Sequence, residues 1–334
     1  MRKPVVAFVT GGYSSEAKVS YESAKTIERQ LDRDRFEVHK IDITPSGWFA
    51  EAEGKRIPID RNDFSYAGTG GKVRFDVVLI GIHGTPGEDG KLQGYFDLMN
   101  LPYTSCDAAT SSLTFNKRFT VAVASFAGIR TSRSLHLFKD RPLSPRAILE
   151  QLQLPLFVKP SNGGSSIGMS KVKKAEEIAD ALDKAFREDD QVLVEEFIAG
   201  REFTVGVYRS RSGITVLPIT EIKTKNDFFD YEAKYKPGFT EEVTPAEIPD
   251  VLADKIRATA RKVFEVFNCR GVVRIDFIYN EAAGEPFLLE INTVPGQSEM
   301  SIVPQQVRAA GMKLGDFYTS LIEEALSARK EAHA

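Results

Sequence analysis

A chain of 334 residues exceeds a single small core and suits two or three packed units. Its 44 basic and 47 acidic residues are spread along the whole length for a net charge of −3, so no basic stripe marks a nucleic-acid or membrane surface and small-molecule chemistry is favoured. The two cysteines, Cys106 and Cys269, are far apart and speak against a disulfide framework or a Cys-based zinc site; with no signal-peptide pattern or membrane-length apolar run, the expectation is a soluble, cytoplasmic protein.

In chain order, Val5 to Val9 reads as a buried strand ending at Gly11-Gly12, and the next segment as a helix with Ala24, Ile27 and Leu31 on one face. Phe36 to Ile43 and Val73 to Ile82 read as strands, and Leu92, Phe96 and Met99 give an apolar helical stripe, so the first hundred residues predict a doubly wound α/β unit. Thr44 to Lys72 lacks periodicity and reads as irregular surface. A helix from about Ser111 to Gly128, strands at Leu154 to Lys159 and Gln191 to Ile198, and a helix from Ala175 to Phe186 predict a smaller α+β unit. A third unit follows, with paired strands Glu202 to Tyr208 and Ile214 to Ile222, a long aperiodic stretch, a helix from Pro249 to Phe267, two more strands and a closing helix. The expected units are 1–106, 107–198 and 199–334.

Two strands near the C-terminus place polar residues two apart, hence on one face: Arg274 with Asp276, and Glu290 with Asn292. Gly284 lies in a connection short enough for an antiparallel hairpin, which would bring all four side chains together. Asp276, Glu290 and Asn292 are hard oxygen ligands suited to Mg²⁺, and Arg274 would stand beside a developing negative charge. The alternative is a wet sheet face, disfavoured because Asp and Asn are poor strand residues.

Lys159 to Gly168 is a glycine-rich hairpin whose backbone N–H groups, Ser165, Ser166 and Lys159 could cradle phosphates; it has neither the P-loop ending nor the dinucleotide spacing. Glu195, Glu196 and Glu202 stand where adenine and ribose hydroxyls could be met, although exposed glutamates are common at strand ends. Loop 223–247 interleaves lysines with Phe228, Phe229, Tyr231 and Tyr235, as expected of a lid closing over phosphates; a solvated charged loop is the alternative. Glu16 ends the first βα connection, where open α/β sheets bind ligands, and could hold an ammonium. His83 follows a core strand in the same kind of position, with a structural histidine as its alternative; Glu88 and Asp89 read as a helix start.

Taken in order, these segments resemble the D-alanine–D-alanine ligase family of the ATP-grasp fold over nearly the whole chain. The resemblance rests on Gly11 to Glu16 with Val19-Ser20, His83 to Gly90 with Gln93-Gly94, Asn116-Lys117, the Lys159 hairpin, Glu195 to Glu202, Tyr231 to Tyr235, Arg274 to Asp276, and Glu290 to Gly296 through Ser301. It implies three α/β and α+β domains with the nucleotide between the central and C-terminal ones, and a homodimer. It also implies ATP phosphates on Lys117, Lys159 and Lys234, two Mg²⁺ (or Mn²⁺) on Asp276, Glu290 and Asn292, and adenine and ribose at Glu195 and Glu202. Glu16 would take the first D-alanine's ammonium with His83 nearby, and Ser301, with Ile302, the second's carboxylate. Ser165 would link Glu16 to Tyr235, while Arg274 and the Gly296 amide would stabilise the tetrahedral intermediate. Asn116 departs from the aspartate frequent before that lysine. A tyrosine at 235 favours D-alanine over D-lactate. Another carboxylate–amine ligase, or a non-catalytic nucleotide-binding regulator, are the competing readings.

Overall fold

The computed structural model describes residues 2–164, 166–224 and 240–331. Ser165, Lys234, Tyr235 and most of the expected lid lie outside the described residues.

The chain opens with β1 (Val5–Gly11), α1 (Ala17–Gln30) and β2 (Glu37–Thr44), followed by β3 (Gly47–Ala52), β4 (Lys55–Pro58), β5 (Tyr66–Gly68), β6 (Gly71–Val73), β7 (Val77–Ile80) and α2 (Lys91–Leu98). One sheet runs β4-β3-β2-β1-β7, with β1 parallel to both neighbours. Every residue of β1 is buried because alternate side chains enter different cores. Val6 and Phe8 pack with Ala24 and Ile27 of α1, whereas Ala7 and Val9 pack with Leu92 and Phe96 of α2. Residues 44–72 are not irregular: they hold four short strands, with β3 and β4 extending this sheet antiparallel to β2 and β5 and β6 forming a ribbon. Their few, mostly exposed residues carry too little alternation to reveal a period. The strand expected from Val73 is split, with β6 ending there and β7 starting at Val77.

The second sheet, order β10-β9-β11-β8, joins β8 (Ser134–Phe138), β9 (Leu156–Pro160), β10 (Ser170–Val172) and β11 (Gln191–Glu196), all antiparallel. The helix Ile178–Glu188 lays Ile178, Leu182 and Ala185 on Leu156, Val158, Val192 and Val194. The alternate residues Phe157, Lys159, Leu193 and Glu195 are thereby turned to the other face.

The third sheet runs β15-β14-β12-β16-β17, with β13 beside β12: β12 is Arg201–Ser210, β13 Gly213–Val216, β14 Thr220–Thr224, β15 Thr240–Val243, β16 Val272–Asn280 and β17 Glu285–Asn292. The single strand expected over 214–222 is two, which pair with different parts of β12. Helix Asp250–Val266 covers one face, packing Ile256, Val263 and Phe264 on Phe203, Val205, Ile275 and Phe277. Fully burying each such side chain contributes roughly 1.5–3 kcal/mol, which orients the sheet and turns Glu202, Thr204 and Asp276 away from the helix.

The helix Leu314–Glu331 joins the first and third units. Its Phe317, Tyr318, Leu321 and Ile322 share one core with Val6 and Phe8 on one side and with Tyr208, Leu217 and Val272 on the other.

The helix expected over 111–128 is two: α3 (Ala108–Phe115) and α4 (Lys117–Phe126) meet at Asn116. The Asn116 side chain accepts from Arg118 N–H at 3.1 Å and Phe119 N–H at 3.4 Å, capping α4 and leaving Lys117 as its first residue.

Candidate active site

The exposed faces of the second and third sheets look at one another across a cleft, closed on a third side by the loops that follow β1 and β7. In β16 and β17, Arg274 stands opposite Asn292 and Asp276 opposite Glu290, and the register then skips Leu289 as a bulge. All four expected side chains therefore share one face. Arg274 grips Asp276 through Nε–Oδ1 at 2.9 Å and Nη2–Oδ2 at 2.8 Å, with its Nη2 3.7 Å from Glu290 Oε1. Asn292 Nδ2 donates to Asp276 Oδ2 at 3.1 Å, and the Thr204 hydroxyl donates to Oδ1. Burial alone would lower the Arg274 pKa; Asp276, and then Glu290 and Glu88, outweigh it and hold the guanidinium above its ordinary value.

The facing wall is the glycine hairpin. Lys159 pairs with Glu195 at 2.6 Å on the open face of the second sheet. Lys117 reaches it from the start of α4, donating Nζ to Gly163 O at 2.7 Å while its backbone N–H bonds Ser161 O at 2.8 Å. Gly163 and Ser166 adopt left-handed φ of 100° and 58°, so the chain turns tightly with backbone exposed.

Two cavities line this cleft. One, of 450 Å³, lies between the sheets, with Lys159, Ser166, Glu195, Glu196 and Glu202 among apolar Phe157, Ile198, Ile278 and Leu288. Those walls suit a flat aromatic base, and the carboxylates suit its amine and sugar hydroxyls. Glu196 is partly engaged elsewhere, accepting from Gln153 N–H at 2.9 Å. The other cavity, of 270 Å³, holds Glu16, His83, Glu88, Arg274, Asp276, Glu290, Asn292, Gly296, Ser301 and Ile302. Lys117, Gly163, Gly164, Glu202 and Glu290 line both, so the two chambers are continuous.

Glu16 is wedged between two glycines: a β-carbon on Gly84 would stand 2.4 Å from its Oε2, and one on Gly164 2.6 Å from its Oε1. Ser301 is the N-cap of the helix Ile302–Ala309, yet its side chain makes no cap bond; its Oγ lies 2.7 Å from Ser298 Oγ. The uncapped helix end at the cavity wall suits a carboxylate. A β-carbon on Gly296 would come within 2.9 Å of Ser301 Oγ.

His83 is buried, its ring Nε2 2.9 Å from Ser23 Oγ and its backbone N–H donating to Ser20 Oγ at 2.9 Å. Burial, helped by the Arg274 charge and opposed by a backbone hydrogen bond to Val294, pushes its pKa down to about 4. Glu88 does not begin a helix, which starts at Lys91 after Gly90. It accepts from Gly84 N–H at 2.6 Å and Val294 N–H at 3.2 Å, tying the two loops. Burial and then Glu16 push its pKa up to about 8, against those bonds and Arg274.

Thr204 and Glu242 also belong to this cleft and were missed. Thr204 follows Glu202 by two residues on the same strand face, a signal the sequence carries. Glu242, in β15, lines the 270 Å³ cavity and accepts from Gln305 Nε2 at 2.7 Å, a pairing no local pattern announces. Among the described residues no group of three or more His, Cys, Asp or Glu side chains could hold a metal ion; the oxygen set here is two carboxylates and an amide. Among them, too, no helix is long and apolar enough to cross a membrane.

Residues 5–106 match the family model described as D-ala D-ala ligase N-terminus, and residues 115–323 that described as D-ala D-ala ligase C-terminus. The chain is 45% identical to the D-alanine–D-alanine ligase of Flavobacterium johnsoniae, over 96% of this chain and 99% of that one. With the corresponding ligase of Azobacteroides pseudotrichonymphae it shares 44% identity, over 95% and 98%. Among solved structures it is similar to D-alanyl-alanine synthetase A from Vibrio cholerae, at 29% identity and a TM-score of 0.87 over 98% and 99% of the two chains. It also resembles the VanG D-Ala:D-Ser ligase from Enterococcus faecalis, at 29% and 0.86 over 97% and 100%. The D-alanine–D-alanine ligase from Bacillus anthracis complexed with ATP gives 25% and 0.79 over 98% and 99%. Sequence and architecture agree: the chain has the ATP-grasp fold and belongs to the D-alanine–D-alanine ligase family.

Proposed function

We propose that the cleft carries out ATP-dependent ligation of two D-alanines to D-alanyl-D-alanine for peptidoglycan precursor synthesis, with the parts assigned as follows. The observation that carries the assignment is that Arg274, Asp276, Glu290 and Asn292 share one cavity with Glu16, Gly163 and Gly164.

ATP lies in the larger chamber, its base and ribose toward Glu195, Glu196 and Glu202 and its phosphates toward Lys117, Lys159, the hairpin amides and Ser166. By the family resemblance Lys234, outside the described residues, would be a further phosphate contact. Asp276, Glu290 and Asn292 offer hard oxygens that would hold two Mg²⁺, with Mn²⁺ as a substitute. Such ions, when bound, offset phosphate charge during transfer.

Glu16 receives the ammonium of the first D-alanine, leaving its carboxylate facing the terminal phosphate. A carboxylate oxygen attacks that phosphorus, the bond to the ADP oxygen breaks, and an acyl phosphate forms. The second D-alanine places its carboxylate at Ser301 and the free end of the helix beginning at Ile302. Its amine, having lost a proton, attacks the acyl carbon; the C–N bond forms and phosphate leaves with the donor's oxygen. Arg274 and the Gly296 N–H meet the oxyanion between those events. A lid over 223–247, with Tyr235 linked through Ser165 to Glu16, would keep water from the acyl phosphate. The units 1–106, 107–198 and 199–334, a homodimeric assembly and a cytoplasmic setting complete the proposal.

The test is ADP release with D-alanine as the sole amino acid, with mass detection of the dipeptide. The reading predicts one dipeptide per ADP and none from L-alanine; ADP release without dipeptide would count against it.

A further inference from the structure

His83 lines the reaction chamber, yet its polar atoms are taken up by protein. Its Nε2 meets Ser23 Oγ at 2.9 Å, and the ring also hydrogen-bonds to the backbone of Val294. Ser23 Oγ in turn accepts from Gln297 N–H at 3.0 Å. Beyond it, Gln297 Oε1 accepts from the Tyr318 hydroxyl at 3.1 Å, and Gln297 Nε2 donates to Pro295 O at 3.2 Å. Ser23 is fully buried, and His83, Gln297 and Tyr318 nearly so.

Burial fixes the direction of this chain. The amide hydrogen of Gln297 uses a lone pair of Ser23, so the one Ser23 O–H remains to be donated. The partner in reach is His83 Nε2, which must then carry a lone pair, leaving the proton on Nδ1. The opposite tautomer would strand a buried hydroxyl hydrogen, at the cost of an unmade hydrogen bond. The pKa of His83, lowered mainly by burial, fits a ring that stays neutral.

The ends of this chain bracket the peptide 294–297, and Gly296 lies between them. Glu88 holds the same segment through Val294 N–H at 3.2 Å. From this arrangement, and resting on the reading of Gly296 as an oxyanion donor, we infer that His83 and Ser23 are positioning residues for the amide-forming step, which hold the Gly296 N–H in place through Val294 and Gln297, and that His83 works as its neutral Nδ1–H tautomer without touching substrate. The two half-reactions therefore depend on it unequally. Forming the acyl phosphate needs the lysines and Glu16, whereas its collapse needs the Gly296 amide.

The experiment compares wild type with Ser23→Ala, and with Ser23→Thr as the variant that keeps the hydroxyl. Bridge-to-nonbridge oxygen exchange in ¹⁸O-labelled ATP, run with D-alanine, reads reversible acyl-phosphate formation; dipeptide release reads the whole reaction. Ser23→Ala should lower the dipeptide kcat roughly 10- to 100-fold, less than or comparable to loss of an oxyanion donor itself, while exchange stays within about twofold, so their ratio rises. Ser23→Thr should recover at least part of the loss. Equal losses of exchange and dipeptide in Ser23→Ala, or no loss of dipeptide, would overturn the inference. So would ¹⁵N spectra of the wild-type protein placing the His83 proton on Nε2, a result independent of whether any variant folds. Failure of the wild type itself to make dipeptide would instead strike the functional reading.

Discussion

Glu16 and Gly164 meet across the cleft with no room for a methyl group: a β-carbon on Gly164 would stand 2.6 Å from Glu16 Oε1. One comes from the loop after β1 and the other from the hairpin after β9, so their contact closes the N-terminal unit onto the central one. Gly164→Ala should displace the Glu16 carboxylate. We expect the KM for the first D-alanine to rise about tenfold or more, with ATP affinity changed by less than threefold and the thermal midpoint nearly unchanged. Steady-state kinetics with calorimetric ATP titration check this.

Arg274 meets both oxygens of Asp276 through Nε and Nη2 along one edge of its guanidinium, a geometry that a planar guanidinium makes and an ammonium does not. Arg274→Ala should lower dipeptide kcat by about 10²- to 10³-fold, and Arg274→Lys should recover little of it. Rapid-quench measurement of dipeptide at saturating substrates is the check; recovery by lysine to near wild type would mean that charge alone suffices.

His83 gives stability a pH dependence of defined sign. Its pKa falls from the usual 6.5 to about 4 on folding, so between those values the unfolded chain binds more protons than the folded one. The associated stability, about 3 kcal/mol, is present above pH 6.5 and is lost as the pH falls toward 4. Glu88, raised to about 8, acts in the opposite sense, favouring the fold at low pH and losing that contribution as the pH rises through 8. Denaturant unfolding at pH 7 and pH 4.5 should therefore show a smaller acid loss in His83→Gln than in wild type.

Asn116 ends α3 and caps α4, and its replacement by alanine should cost about 1 kcal/mol, seen as a lowered thermal midpoint. Asn116→Asp keeps the oxygen that accepts from α4 but loses the amide that donates to Asn162 Oδ1 at 3.1 Å and Gln191 Oε1 at 3.4 Å, so it should recover only part of that loss.

The chemistry was legible where it follows strand alternation. Arg274, Asp276, Glu290 and Asn292 sit two apart in strands with clear apolar partners, so spacing alone put them on one face. The glycines of the Lys159 hairpin announced a turn for the same local reason. What stayed hidden depends on contacts far along the chain. Glu88 looked like a helix start because its partner, Val294, is 206 residues away. For His83 the sequence left a ligand and a structural histidine side by side, because Ser23 and the 294–297 loop reach it only in the folded chain. The short strands of 44–72 were missed because β4 to β6 are too short and exposed to display a period, and the break at Asn116 because the apolar stripe runs on through it.

The most direct measurement follows an oxygen atom. D-alanine labelled with ¹⁸O in its carboxylate is turned over with unlabelled ATP and Mg²⁺, and the released inorganic phosphate is analysed by mass. Activation through an acyl phosphate predicts one ¹⁸O in each phosphate formed with dipeptide. Unlabelled phosphate accompanying dipeptide, or label appearing in the nucleotide, would contradict the account.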